Sequence, residues 1–255
     1  MEATGRAKSS IYTHIREIPL SADRVQQSRR AAGKRIRRFA IARKGKSEHH
    51  VRVFDAWSAD LVLLVAHLIF DGEITRTRCA YNNRSDTLIA RVAGLMRIVY
   101  DFEPKQYKNK TTGVRRISYN NVVLGAYMSN KSKELLRDIK TQPQNLKREF
   151  VRAFFDDEGC VDYRPNENRR SVRGYQKDVR ILKILKTVLR DFDITARIVL
   201  PNEIIIVGKD NLVRFEQTIN FSSGVCINGN RLNSRWKKHL EKRQILRMAI
   251  ESFKS

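Results

Sequence analysis

The sequence predicts an α+β fold in which one unit, helix, two strands, helix, two strands, helix (αββαββα), is used twice. Three observations carry this. Apolar positions switch between helical and strand periods in the same order in both halves, a similar apolar helix end occurs twice, and the chain is strongly basic throughout. With 255 residues, either one large or two small domains could bury a real core.

Lys and Arg number 51 against 27 Asp and Glu, a net charge of +24. Such a chain is drawn to polyanions, and nucleic acid is the expected partner. A basic ribosome-associated or membrane-surface protein would share the charge. No stretch approaches the roughly 18 uninterrupted apolar residues of a membrane helix. The N-terminus lacks the apolar core of a signal peptide, so an intracellular, non-secreted protein is expected, in cytoplasm, nucleoid or organelle matrix. Cys79, Cys160 and Cys226 are far apart with no CxxC spacing, which indicates neither a disulfide framework nor a zinc knuckle.

Residues 1–50 form a basic arm with thirteen Lys or Arg and four Asp or Glu. Ser21 is a good N-cap, and the segment to about Ile41 reads equally as a basic helix or as an unstructured tail. The first repeat, 51–143, opens with the apolar helix Leu61 to Phe70, followed by polar, strand-like residues through Asn82. A helix from about Arg84 to Tyr100 carries Leu88, Val92, Leu95 and Val99 on one face. A hairpin turning at Thr111 to Gly113 and a helix from Asn121 to about Lys140 complete the unit. The second repeat, 144–232, has a helix from about Asn145 and a polar hairpin from Cys160 to Gln176 around Pro165 to Asn168. A helix from Asp178 to Phe192, two strands around Pro201 and Asn202, and a helix from Asn211 to Asn220 follow. A basic helix from about Ser234 to Phe253 fills 233–255.

Set side by side, LVAHLIFDGE (Leu64 to Glu73) lies over VRAFFDDEGC (Val151 to Cys160), which matches Asp71 with Glu158, 87 positions apart. Glycine follows each acid, as expected just past a helix end that enters the left-handed conformation. A carboxylate there faces the negative end of the helix dipole, and a second such end beside it would add repulsion. A bound divalent cation would reverse that penalty.

These two segments resemble the paired motifs of the LAGLIDADG homing endonuclease family, in its single-chain, two-motif form. The resemblance covers about residues 55–250: an apolar helix, a small third residue (Ala66, Ala153), and an acid in the eighth place followed by glycine. It implies two repeats related by a pseudo-twofold axis, motif helices side by side at the interface, and a β-saddle lying on DNA. The metal positions implied are Asp71 and Glu158 with the following Gly72 and Gly159, sharing two or three Mg²⁺ ions, each half cutting one strand of double-stranded DNA. Asn82, Asn83, Gln176 and Lys177 correspond to the polar and basic groups around the metals. Of these, Asn83, Gln176 and Lys177 are the candidate catalytic residues beside the acids, Lys177 for charge stabilisation at the phosphate or simply a helix-start lysine. Asp156 has the usual occupant of the sixth place and is expected to support. Phe70 and Asp157 stand in the seventh, where the family has a small residue, and could separate the helices or re-aim the acids. His67, a full turn before the acid, reads as an interface histidine rather than a base.

In such a saddle one face of each strand meets the major groove. Arg169, Ser171, Arg173 and Tyr175 alternate on one face, Arg76 and Arg78 share another, and Gln106, Lys108 and Lys110 form a comb with Arg116 and Ser118 opposite. Basic residues of the terminal helix (Arg235, Lys237, Lys238, Lys242, Arg243) and of the arm are expected to track phosphates. The implied activity is Mg²⁺-dependent double-strand cleavage of a long asymmetric site by a monomer. With no nucleophile at position 1 and no terminal His-Asn pair, an intron-encoded enzyme is expected rather than an intein. An intron RNA maturase, with intron RNA as partner, or a non-cleaving DNA-binding protein on the same scaffold is the alternative.

Overall fold

The computed structural model describes residues 21–43, 52–99, 103–227, 236 and 239–253. The chain divides into two units, Met1–His50 and Val51–Ser255. In the first, α1 (Ala22–Arg43) is capped by Ser21, whose Oγ accepts from Arg24 N at 3.4 Å. Most of its described side chains are exposed, as its sparse apolar positions foretell. The rest of the basic arm lies outside the described residues.

The second unit is the α+β double repeat. Its first half runs α2 (Ala59–Phe70), β1 (Gly72–Thr75), β2 (Arg78–Asn83), α3 (Asp86–Val99), β3 (Lys105–Lys108), β4 (Arg115–Tyr119) and α4 (Val122–Asp138). The second half follows the same order. It has α5 (Gln144–Glu158), β5 (Gly159–Arg164), β6 (Arg169–Tyr175), α6 (Val179–Arg190), β7 (Ala196–Val199), β8 (Glu203–Val207) and α7 (Lys209–Thr218). Each half makes one antiparallel four-stranded sheet, with orders β1-β2-β4-β3 and β5-β6-β8-β7. Polar side chains start the helices: Ser58 accepts from Leu61 N, Asn121 from Val123 N and Leu124 N, and Asp178 from Arg180 N. Gly113, at φ 71°, turns the β3–β4 hairpin as its position requires.

Helix α2 is apolar nearly all round because it is enclosed nearly all round. Leu61, Val62, Leu64, Val65, Ala66, Leu68 and Phe70 are buried, and the helix packs against its own sheet and against α5. In β6 and β8, Val172, Ile204 and Ile206 are fully buried on the helix side, while Ser171, Glu203 and Ile205 on the opposite face are only slightly less enclosed.

The terminal helix is shorter than the sequence predicts. It is α8 (Lys242–Glu251), opened by a capping box between Glu241 and Gln244. Arg235, Lys237 and Lys238 lie outside the described residues, as does Tyr100 at the predicted end of α3. Among the described residues, no helix is long and apolar enough to cross a membrane.

Candidate functional site

Helices α2 and α5 end side by side, and at those ends the strands leave abruptly. Gly72 and Gly159 are not left-handed, contrary to expectation; Gly159 has φ −92° and ψ 156°. Glycine is needed for room. A Cβ on Gly72 would sit 2.5 Å from Leu68 O, and one on Gly159 2.4 Å from Phe155 O, closer than real contacts allow. The chain therefore passes from helix to strand directly after the acid, with Gly72 paired to Tyr81 and Gly159 to Gly174.

The bulky and charged seventh residues do not prevent the helices from packing, because the fourth residue of the opposite helix receives each. Phe70 meets Phe154 with ring centroids 5.1 Å apart and near-perpendicular planes. Across the pseudo-twofold, Asp157 meets His67, with Oδ2 2.8 Å from Nδ1 and both side chains fully buried. Tyr81 Oη donates to the other oxygen of Asp157 at 2.6 Å. One side of the seam is aromatic, the other polar, and both are filled. Ala66 and Ala153, the third residues, are fully buried beside them.

Asp71 and Glu158 stand at the end of this seam, both partly exposed. Burial pushes the Asp71 carboxyl up to about 7, with Asp157 and Glu158 adding to it and the hydrogen bond from Asn83 Nδ2, 2.7 Å to Oδ2, opposing it. Glu158 is raised by burial and by Asp157, against the pull of Lys242. Two carboxylates thus share a crowded, negative corner at two helix C-termini. Among the described residues no cluster of three or more His, Cys, Asp or Glu side chains could hold a metal. The two acids alone fit a hard cation such as Mg²⁺, which keeps water and takes phosphate oxygens for the rest of its shell.

Lys242 is the residue the sequence misleads about. It is not a surface cation on a phosphate track but fully enclosed, its Nζ donating to Phe155 O at 3.1 Å and Asp156 O at 2.6 Å. It satisfies the last carbonyls of α5, and burial lowers its pKa while nearby carboxylates hold it up. Sequence reasoning had only a weak signal for this, a lysine at the first position of an amphipathic helix. Asp156 is likewise buried, accepting from Ser222 N at 2.9 Å and from Arg91 at 3.2 Å.

Around the acids, Asn83 and Gln176 occupy equivalent register positions, each two residues beyond the partner of the motif glycine. Asn83 Oδ1 accepts from Ser85 N at 2.8 Å and Gln176 Oε1 likewise from Asp178 N at 3.2 Å, and Asn83 Nδ2 in addition reaches Asp71. Lys177 is exposed at the start of α6.

On the sheets, Arg169, Ser171, Arg173 and Tyr175 share the face away from the core, but Ser171 is buried, Arg169 pairs with Glu167, and Arg173 is held by Glu203 and, at 3.0 Å, by Asp162. Arg78 and Arg116 both bind Glu73 on the corresponding face of the first sheet. The comb in β3 is out of phase with the one expected. Gln106 is opposite Ile117 and Lys108 opposite Arg115, so Lys105 and Tyr107 share the face of Ser118 and Arg116. The phase is set by Ile117 and Tyr119, which must face the core; Gln106 and Lys108 overhang its edge and are exposed. Arg76 and Lys110 are exposed in the hairpin turns.

A double αββαββα repeat with acids at paired helix ends resembles the LAGLIDADG architecture. Residues 145–220 match the model of the LAGLIDADG-like domain, which bears out the resemblance carried by the two helix ends. No curated protein matches the sequence. Among solved structures, full-length DUF199/WhiA from Thermatoga maritima aligns with a TM-score of 0.50 at 14% identity, covering 68% of this chain and 59% of that one. The homing endonuclease I-DmoI in complex with DNA and Ca aligns with a TM-score of 0.49 at 18% identity, covering 65% and 91%. In complex with DNA and Mn it aligns at 0.48 and 18%, covering 63% and 96%. At these identities the likeness is one of fold.

Proposed function

We propose that the chain is a site-specific DNA endonuclease that makes double-strand breaks in a long asymmetric site, with Asp71 and Glu158 holding the divalent cations. The observation that carries this is the crowding of these two carboxyls at two adjoining helix C-termini, each pushed above its ordinary range. Structure alone would be better served by neutral residues there. Cation binding reverses the sign of the penalty.

When bound, Mg²⁺ would polarise water and stabilise the leaving oxygen at a phosphodiester. The protein's own contribution is to place that chemistry. Asn83 fixes one oxygen of Asp71, Gly72 and Gly159 let the strands diverge without covering the acids, and the sealed aromatic and polar seam keeps bulk solvent from behind them. Lys177, exposed beside Gln176, is the cation available to neutralise charge on a phosphate. Base reading falls to the outward sheet faces. Arg76, Lys105, Tyr107 and Tyr175 project there or from the adjoining turn, Gln106, Lys108 and Lys110 lie at the β3 edge, and Arg78, Arg116, Arg169 and Arg173 are pre-set by carboxylates. Cysteine thiols take no part; burial raises Cys79 to about 12.

The test is cleavage of a DNA library drawn from sequence flanking the gene, with Mg²⁺. Cutting at one site, abolished by Asp71→Asn or Glu158→Gln with binding retained, supports the reading. Binding without cutting would make the chain a DNA-binding protein on this scaffold, and promotion of intron splicing would make it a maturase.

A further inference from the structure

Four side-chain contacts run in a line from the middle of the helix seam to Asp71. His67 Nδ1 is 2.8 Å from Asp157 Oδ2, and Tyr81 Oη donates to Asp157 Oδ1 at 2.6 Å. Asn83 Nδ2 donates to Tyr81 Oη at 3.2 Å and to Asp71 Oδ2 at 2.7 Å. The line starts in the first repeat, crosses to the second at Asp157, and returns.

The pseudo-twofold supplies an internal comparison. On the other side of the seam Phe154, Phe70, Gly174 and Gln176 take the places of His67, Asp157, Tyr81 and Asn83. Phe154 fills the space over Gly174, where a Cβ would come within 2.4 Å of the ring, and Gln176 keeps the contact to the backbone at Asp178 that Asn83 matches at Ser85 N, with glycine where Tyr81 stands. Among the described residues no line of side-chain hydrogen bonds leads to Glu158. The chain thus contains both solutions to the same packing problem. The polar one is the costlier, since it buries a carboxylate completely and leaves His67 Nε2 without a partner. The aromatic side demonstrates that close packing does not require it.

We propose that His67, Asp157 and Tyr81 are positioning residues that lock Asn83, and through it Asp71, into one rotamer, so that the Asp71 centre is preorganised while the Glu158 centre is not. Asp157 supplies two acceptors, which fix the tyrosine hydroxyl and the imidazole. The hydroxyl, its proton committed to Asp157, presents a lone pair to Asn83. The asparagine amide, its Oδ1 accepting from Ser85 N at 2.8 Å, then has one orientation that serves Tyr81 and Asp71 together. The proposal rests on the endonuclease reading above, and it implies that the two DNA strands are cut by centres of unequal readiness.

Tyr81→Phe is the discriminating variant, because it keeps the ring and removes only the hydroxyl. Single-turnover cleavage of duplex labelled differently on each strand, at saturating Mg²⁺, is expected to show one strand slowed by roughly five- to tenfold. The other strand should change by less than about twofold, and nicked duplex should accumulate. Equal slowing of both strands would mark a merely structural role and overturn the proposal, as would no slowing of either. Adding Tyr81→Phe to Asn83→Ala should produce no further loss; additive losses would show that Tyr81 does not act through Asn83. If the parent chain cuts no DNA, the endonuclease reading fails, but the relay is still decided by NMR. The Asn83 side-chain amide should exchange slowly with water in the parent and measurably faster in Tyr81→Phe, where only the bonds to Asp71 and from Ser85 N remain. An amide that behaves alike in both would refute the relay.

Discussion

Replacing Asp71 with Asn should make the metal-free protein more stable while removing its proposed activity. Folding lifts the Asp71 carboxyl from 3.8 to about 7, so the folded state holds its proton more tightly than the unfolded chain. A raised carboxyl pKa contributes stability below the unfolded value, and that contribution is lost as pH climbs through the folded one. Between about pH 4 and pH 7 the parent should therefore weaken. The full rise corresponds to roughly 4 kcal/mol. Because the group is partly solvated and its neighbours relax, about 2–3 kcal/mol is the realistic loss. Asparagine is nearly isosteric and carries no charge, and its carbonyl oxygen can still accept from Asn83. At pH 8 in EDTA, Asp71→Asn should gain that 2–3 kcal/mol, raising Tm by about 4–12 °C for a domain of this size. At pH 4 the two proteins should melt together. Mg²⁺ should raise the Tm of the parent at pH 8 and have much less effect on the variant. Thermal melts followed by circular dichroism across this pH range, with and without the cation, measure all of it. A variant less stable than the parent at pH 8 in EDTA would show that the carboxylate is not under repulsion, and the argument for a cation site would collapse with it.

Other outcomes are equally open to measurement. Gly72→Ala and Gly159→Ala should each lose about 1–3 kcal/mol in urea unfolding, because backbone carbonyls cannot yield to the new Cβ. Phe154→Ala should cost about 3–5 kcal/mol, since it empties the contacts with Phe70 and Phe155 together. Glu203→Gln weakens one of the anchors on Arg173; nonspecific DNA affinity should rise and the salt dependence steepen. For the parent, a log-log plot of DNA affinity against salt should have a slope steeper than about −4; a shallower one would contradict the basic binding faces.

The repeat was legible because helix ends, strand alternation and caps are local. Ser58, Asn121 and Asp178 announce helix starts through their own side chains, and LVAHLIF can only be a helix enclosed on all sides. The candidate acids were legible for the same reason, as each ends its helix before a glycine. What the glycines do was not, because a 2.4–2.5 Å approach to a carbonyl depends on where the strand goes next. Lys242 was hidden because its partners are backbone oxygens 86 and 87 residues away, which no charge pattern reveals. The β3 comb was misphased by one residue since a short, fully exposed strand buries no residue that would fix its own facing, and Ile117 and Tyr119 on the neighbouring strand decide it.

The unlike sides of the helix seam also determine which surfaces can meet. If the first motif helix met a copy of itself, His67 would face Phe70 and the Tyr81 hydroxyl would lose its acceptor. If the second met its own copy, Asp157 would be driven against the Phe154 ring, a buried charge with no donor. Each self-pairing is penalised and only the unlike pairing satisfies every group but one. The two halves are therefore no longer interchangeable, as those of a symmetric dimer would be. Each is the other's obligate partner, and residues free to vary on the outward sheet faces are carried by a seam that no single substitution would make symmetric.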